Sequence, residues 1–423
     1  MHRPASSAAV LEMVWLRPMN SDCFVTLEPD ASFSFFMNNG RLRSMPFYLL
    51  VLFKKINPPY KFCIQAPLHY PSVVQLSPEC KMSDLFFERC QFYEICRRTI
   101  FQMMFARDKN TLLTTYRNGA LPSAWLDELF QKKSFKLFVP VRYGGLELDL
   151  DEGLQHINDA AAVHGSLGWV VNLGAGAGYF WPFLDHKTAE EIFSPENAVI
   201  AGSGAATGVA RRVKGGYQLT GAWDKCSGAA HAAWFTVNAT LQDGQVRSFA
   251  VPRKNVSVTP SWKLFALKAT SSYAIEVNDL FVPDRYCFEI GRIRNEYPEY
   301  PIGKVPFEAF ARLCMTAAML GMVSGLCRHL QAEFEDNKRI LDFSHHLKQE
   351  TKEHFHQVLT YARRIYQDPE QPEGFPPGGI GKEIYDDCCS LFYSEGLRIA
   401  DEESLSHYAW RDLMLASQHF MLK

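Results

Sequence analysis

The sequence predicts an α+β protein in which an N-terminal α-helical domain, a central antiparallel β-sandwich or barrel and a C-terminal four-helix bundle follow one another. Three observations predict it. Apolar residues recur every three to four positions from Leu121 onward, the period falls to two between Asn197 and Ile290, and the helical spacing returns after Pro306. The boundaries drawn from these changes are 101–196, 197–290 and 291–423.

Residues 1–100 stand apart. They hold five of the eleven cysteines, and prolines such as Pro58, Pro59 and Pro67 interrupt any helical or alternating pattern. This segment is set aside as an unassigned extension, with the functional polypeptide expected to begin near Met103 or Met104.

The first clear helix opens at Leu121-Pro122-Ser123, with Ser123 as the expected N-cap, and its apolar stripe is Trp125, Leu126, Leu129 and Phe130. Val139-Pro140 and Tyr143-Gly144-Gly145 break the chain. Helices are expected from Asp151 to Val163, Leu167 to Phe183 and Lys187 to Phe193. Strands follow at Gly216 to Gly221, Ala233 to Asn238, Ser248 to Val251 and Tyr273 to Val277, with turns at Gly215-Gly216 and Asp243-Gly244. In the bundle, Phe307, Phe310, Leu313, Cys314, Ala317, Ala318, Gly321 and Gly325 form a stripe whose small members permit close helix approach. Further helices are expected from Asp342 to Tyr366, Lys382 to Ile399 and Leu405 to the end, the Asp368 to Gly381 stretch being a break.

Composition excludes several classes of function. At 423 residues the chain can bury a large core, and 47% hydrophobic with 21% charged residues excludes a disordered or collagen-like chain. Lys+Arg 44 against Asp+Glu 46 leaves a net charge of −2, which offers no electrostatic ground for a nucleic-acid or membrane-surface partner. The cysteines form no CxxC pair, and Met1 to Val14 lacks the apolar stretch and cleavage site of a secretory signal, so reduced thiols in the cytoplasm are expected. The apolar run Met45 to Phe53 is too short to span a bilayer.

A β domain between helical ones offers a junction for a flat cofactor. Several segments near that junction are distinctive: Trp223-Asp-Lys-Cys-Ser227-Gly228 with His231 following, Leu267-Lys-Ala-Thr270-Ser271-Ser272, and near the C-terminus Trp410-Arg411-Asp412 with Ser417-Gln418-His419. Together with His164-Gly-Ser166-Leu-Gly168-Trp169, and in this order over about Leu121 to Lys423, they resemble the acyl-CoA dehydrogenase superfamily. The branch they are most similar to is that of two-component flavin-dependent monooxygenases.

The resemblance implies a flavin-dependent oxidoreductase holding FAD or FMN. It implies reduced flavin supplied by a flavin reductase, reaction with oxygen to a hydroperoxide adduct, a small organic and aromatic substrate, and a homotetramer. Ser227 would hydrogen-bond the flavin N5 region, against the plain alternative of a turn serine before Gly228. Trp223 would wall the ring, although an aromatic in a strand is more often core. Thr270, Ser271 and Ser272 offer hydroxyls and N–H groups to the flavin, against the plain alternative of a polar loop, and Gly228 and Arg411 are further cofactor contacts, although Arg411 with Asp412 reads better as a structural ion pair. His419 would manage the substrate proton.

The sequence departs from the dehydrogenases of the superfamily. Their Glu-Gly-Thr base and their glutamine and double-glycine element are missing, Asp401, Glu402 and Glu403 lying where a base would be sought. An acyl-CoA dehydrogenase with Glu402 or Glu403 as its base, passing electrons to an electron-transfer flavoprotein, is the second reading, and a non-catalytic relative the third. No metal site is expected, because the His345, His346, Glu350, His354 and His356 run reads as a solvated helix face.

Overall fold

The computed structural model describes residues 108–369 and 380–422 together with the backbone of five earlier strands, and the chain divides into two compact units, Met1–Ile100 and Phe101–Lys423. In the first unit, β1 (Leu11–Trp15), β4 (Phe47–Phe53) and β5 (Lys61–Ala66) form an antiparallel sheet in the order β1-β4-β5, while β2 (Cys23–Leu27) pairs with β3 (Phe33–Met37). Sequence periodicity missed them because strands of five to seven residues rich in consecutive apolar side chains show no alternation. The expected start near Met103 or Met104 lies outside the described residues.

In the second unit, α1 (Lys109–Asn118), α2 (Ser123–Gln131), α3 (Leu150–Val163), α4 (Gly165–Gly176) and α5 (His186–Phe193) precede the sheet. Pro122, not Ser123, takes the N-cap position of α2, since its fixed backbone already has the extended geometry and Ser123 turns with the helix. The expected Leu167 to Phe183 helix stops at Gly176 and continues as a 3₁₀ segment, Ala177–Phe183, with Pro182 inside its last turn.

The sheet has seven strands: β6 (Ile200–Val213), β7 (Gly216–Cys226), β8 (Trp234–Leu241), β9 (Val246–Pro252), β10 (Ser257–Thr259), β11 (Tyr273–Pro283) and β12 (Cys287–Phe288), in the order β10-β11-β7-β6-β8-β9-β12. It is mixed, not purely antiparallel. β6 runs parallel to β8, with Ile200 opposite Trp234 and Val209 opposite Thr240. β6 escaped the sequence reading because Gly202 to Gly208 carries only small side chains and no period-two signal.

The remaining helices are α6 (Phe307–Glu333), α7 (Lys338–Gln367), α8 (Ile380–Ile399) and α9 (Leu405–Ala416). α6 is the core helix. It is long and apolar enough by composition to cross a membrane, yet 83% of that stretch is buried within the protein. Its small-residue stripe does what its composition suggests: a Cβ at Gly321 would meet the Asn158 carbonyl oxygen at 2.3 Å, and the Asn158 amide donates to the Ala317 carbonyl at 3.0 Å. Only a glycine lets α3 and α6 approach so closely. α9 ends at Ala416, so His419 sits in the turn beyond the helix.

Candidate functional site

Two loops and the ends of two helices meet around Ser227. β7 ends at Cys226, and the turn after it is stapled to the 3₁₀ turn Lys268–Thr270: the Gly228 N–H donates to the Thr270 carbonyl at 2.8 Å and the Ala229 N–H to the Ser271 carbonyl at 3.2 Å. Gly228 has φ +80°, as the tight turn requires. Leu267 and Ser271, which flank the 3₁₀ turn, hold φ +50° and +48° despite having side chains. Such backbone persists only where surrounding bonds over-determine it.

Those bonds are hydroxyls and a carboxyl. The Ser227 and Ser272 hydroxyls lie 2.7 Å apart, Ser272 and Thr270 are likewise 2.7 Å apart, and the Thr270 hydroxyl donates to the Leu267 carbonyl at 2.7 Å. All three residues are buried. From α4, the Trp169 indole N–H donates to Ser227 Oγ at 3.3 Å, and the Trp169 ring meets the His419 ring edge-on with centroids 5.7 Å apart. Burial lowers the His419 pKa, and the Met421 N–H donates to His419 Nδ1 at 3.3 Å.

Asp412 on α9 fastens this assembly. Its Oδ1 accepts the Leu267 N–H at 2.6 Å, and its Oδ2 lies 3.5 Å from the Ser166 hydroxyl near the start of α4. A Cβ on Gly165 would stand 2.5 Å from that Oδ2, so α4 begins pressed against the carboxyl. Burial pushes the Asp412 pKa up to about 7, against the pull of the Leu267 N–H and of Arg411.

The structure thus brings together Ser227, Gly228, Thr270, Ser271, Ser272 and His419. Two expected cofactor contacts lie elsewhere. Trp223 is a core residue of the sheet: its indole N–H donates to the Asn238 carbonyl at 3.0 Å, and its six-membered ring fills the space over Gly208 and Gly221. Arg411 turns away from Asp412. Its guanidinium donates to the Phe265 carbonyl and lies 3.1 Å from His407 Nε2, so it holds the approach to the Leu267 loop from outside the hydroxyl cluster. Trp169, Leu267 and Asp412 carry the geometry, although the sequence marked them only as members of the resembling motifs and gave them no individual role in the flavin site.

Two polar observations fit a bound ligand. Ser227 Oγ has an acceptor position left beyond its Trp169 and Ser272 contacts. His231 Nε2 is buried without a partner and faces Gly228, and burial holds that imidazole near a pKa of about 4. The carboxylates considered as an alternative base do not reach this place. Glu402 and Glu403 are exposed, and Arg117 holds both, through the Glu402 carbonyl at 2.6 Å and the Glu403 carboxylate at 2.8 Å.

No protein-family model matches the chain. It is 30% identical over 227 residues to a pigment production hydroxylase of a Rhodococcus species, covering 50% of this chain and 57% of that protein. It is 28% identical over 217 residues to the flavin-dependent monooxygenase oxygenase subunit HsaA of Mycobacterium tuberculosis, covering 48% and 55%. The chain therefore matches little more than half the length of these curated relatives. Among solved structures, XiaF from Streptomyces, in complex with FADH2 and glycerol, superposes with a TM-score of 0.66 at 19% identity over 79% of this chain and 94% of that one. Over about half its length the chain is thus similar in sequence to oxygenase subunits of flavin-dependent monooxygenases, and its fold is that of a solved structure holding FADH2.

Proposed function

We propose that the chain is the oxygenase component of a two-component system, binding reduced FMN or FAD supplied by a separate flavin reductase and transferring one oxygen atom of O₂ to a small aromatic substrate. The observation that carries this reading is the buried hydroxyl line Ser227–Ser272–Thr270, with Trp169 donating to it and His419 beside Trp169. The flavin supplies the oxygen chemistry when bound.

The protein's part follows from its residues. Ser227 holds a ring atom of the flavin, and the Gly228 turn lets the backbone approach it. Trp169 keeps the Ser227 hydroxyl in place and excludes water from its side. His419 takes the proton released by the substrate, a role open to it because burial disfavours its charged form. The dehydrogenase reading is the weaker one, because Glu402 and Glu403 are exposed and the Glu403 carboxylate is paired with Arg117.

This reading keeps the three-part layout of 101–196, 197–290 and 291–423 around the flavin, and the homotetramer that the resemblance implies. Tyr393 and Leu397 on α8, 95% and 99% exposed, are apolar surface that such an assembly would cover. Titration of the anaerobic protein with reduced FMN and reduced FAD tests the proposal: saturable binding of at least one is expected, and absence of binding to both overturns it.

A further inference from the structure

Every residue of α4 is buried except Leu173 and Gly176. Both lie on the helix face that begins with Trp169, at the i, i+4 and i+7 positions, so this face runs on from the indole that touches Ser227 and His419. Across from it lies the first part of α6. The two segments close on each other at two places: the Asn172 amide donates to the Met315 thioether at 3.2 Å, and the Phe180 and Phe307 rings lie with centroids 5.9 Å apart. The second contact is as far beyond the first along α4 and its 3₁₀ continuation as it is before it along α6. Gly176 and Ala311 therefore come midway on the two segments, where neither carries more than a methyl group. Among the described residues, nothing lies within 4 Å of a Cβ built on Gly176, and Ala311 is half-buried. A gap is thus left between the two segments, continuous with the Trp169 side of the proposed flavin site.

We propose that this gap seats the apolar end of the substrate and that Gly176 sets its length: the site takes a compound of two fused rings, the oxygen-bearing ring toward Trp169 and the second ring between Gly176 and Ala311. The inference rests on the flavin site proposed above and adds the class of substrate and the residue that selects it. Seven residues of helix rise put Gly176 about 10 Å from Trp169. One ring is too short to span that length, and two fused rings reach along it. Asn172 marks the inner end. It is 1% exposed, and a thioether is a weak acceptor for a buried amide N–H, so an oxygen substituent of the substrate is a better partner than the one it has. The Phe180 and Phe307 rings close the outer end and offer a flat apolar group faces to pack against.

The test uses the full chain saturated with reduced FMN under anaerobic conditions and measures dissociation constants for 2-naphthol and phenol by calorimetry. The native protein is expected to bind 2-naphthol about tenfold or more tightly than phenol, the worth of burying the second ring. Gly176→Leu, which fills the gap, should abolish that preference by weakening 2-naphthol alone, and Ala311→Leu should do the same from the opposite wall. The Kd for reduced FMN should be unchanged in both variants. Gly176 has a helical backbone, φ −58° and ψ −31°, so Gly176→Ala should unfold on heating at a temperature no lower than the native protein. A lower midpoint would show that the space is filled, and overturns the proposal. So does a preference for 2-naphthol that survives Gly176→Leu, an equal loss of phenol and 2-naphthol in that variant, or a native protein that binds reduced FMN and neither compound. Failure of the native protein to bind reduced FMN overturns the flavin site itself.

Discussion

The Asp412 carboxyl accepts the Leu267 backbone N–H at 2.6 Å, a bond that ties α9 to the loop carrying Thr270 and Ser272 although the two residues lie far apart in the chain. Leu267 has a left-handed backbone, and its own carbonyl is the end of the hydroxyl line. One carboxyl thus fixes the segment that carries Thr270 and Ser272.

That carboxyl has a testable pH signature. Its pKa is raised in the folded protein, by burial first, from the ordinary 3.8 to about 7. Between these values the folded state holds a proton that the unfolded state has lost, so the contribution of Asp412 to stability is full below about pH 4 and falls as pH rises to about 7. Asp412→Asn cannot ionise. Thermal unfolding at pH 5 and pH 8 should show the native protein losing stability relative to this variant on going to the higher pH; a difference independent of pH would refute the assignment.

Glu333 at the end of α6 shows the opposite behaviour. Burial alone would raise its pKa, but bonds from the Ser404 and Ser406 hydroxyls and the Leu405 and Ser406 N–H groups, at 2.6 to 3.0 Å, outweigh it and hold the pKa low. It caps α9 from another helix. Glu333→Ala should cost about 1–3 kcal/mol in urea unfolding near neutral pH. The cost should shrink as pH falls through the lowered pKa, because the carboxylate is then protonated in the native protein too.

Much of the fold was legible in the sequence, and the limits were physical. The Gly321 and Gly325 stripe announced a close helix contact because small residues at helical spacing have few other uses. β6 was invisible because glycine and alanine carry no alternation, and the parallel β6–β8 pairing is decided by which strand ends meet, which no local pattern encodes. Ser227, Thr270 and Ser272 could be named from motifs as hydroxyls near a flavin. Their arrangement in a connected line could not, since it depends on the 2.7 Å contact that joins Ser227 to the separate segment holding Thr270 and Ser272. For Trp223 the sequence left wall and core open, core being the more usual for an aromatic in a strand, and the missing side chains of Gly208 and Gly221 beneath it give it a core position.

His419 separates binding from chemistry. It meets Trp169 edge-on and does not join the hydroxyl line. His419→Asn should leave the affinity for reduced flavin unchanged and lower product formation by about 100-fold or more, the range of a lost general base, while flavin oxidation continues. Equal loss of flavin affinity and product would place the residue in cofactor binding instead.

On the proposed function, the chain holds reduced flavin in a site shielded from water and controls its reaction with oxygen. The most direct measurement mixes the anaerobic protein, in excess over reduced FMN, with oxygenated buffer and follows the appearance of oxidised flavin by absorbance. The account predicts oxidised flavin appearing markedly later than in a protein-free control, and a Ser227→Ala variant losing much of that delay. A time course indistinguishable from the control would contradict it.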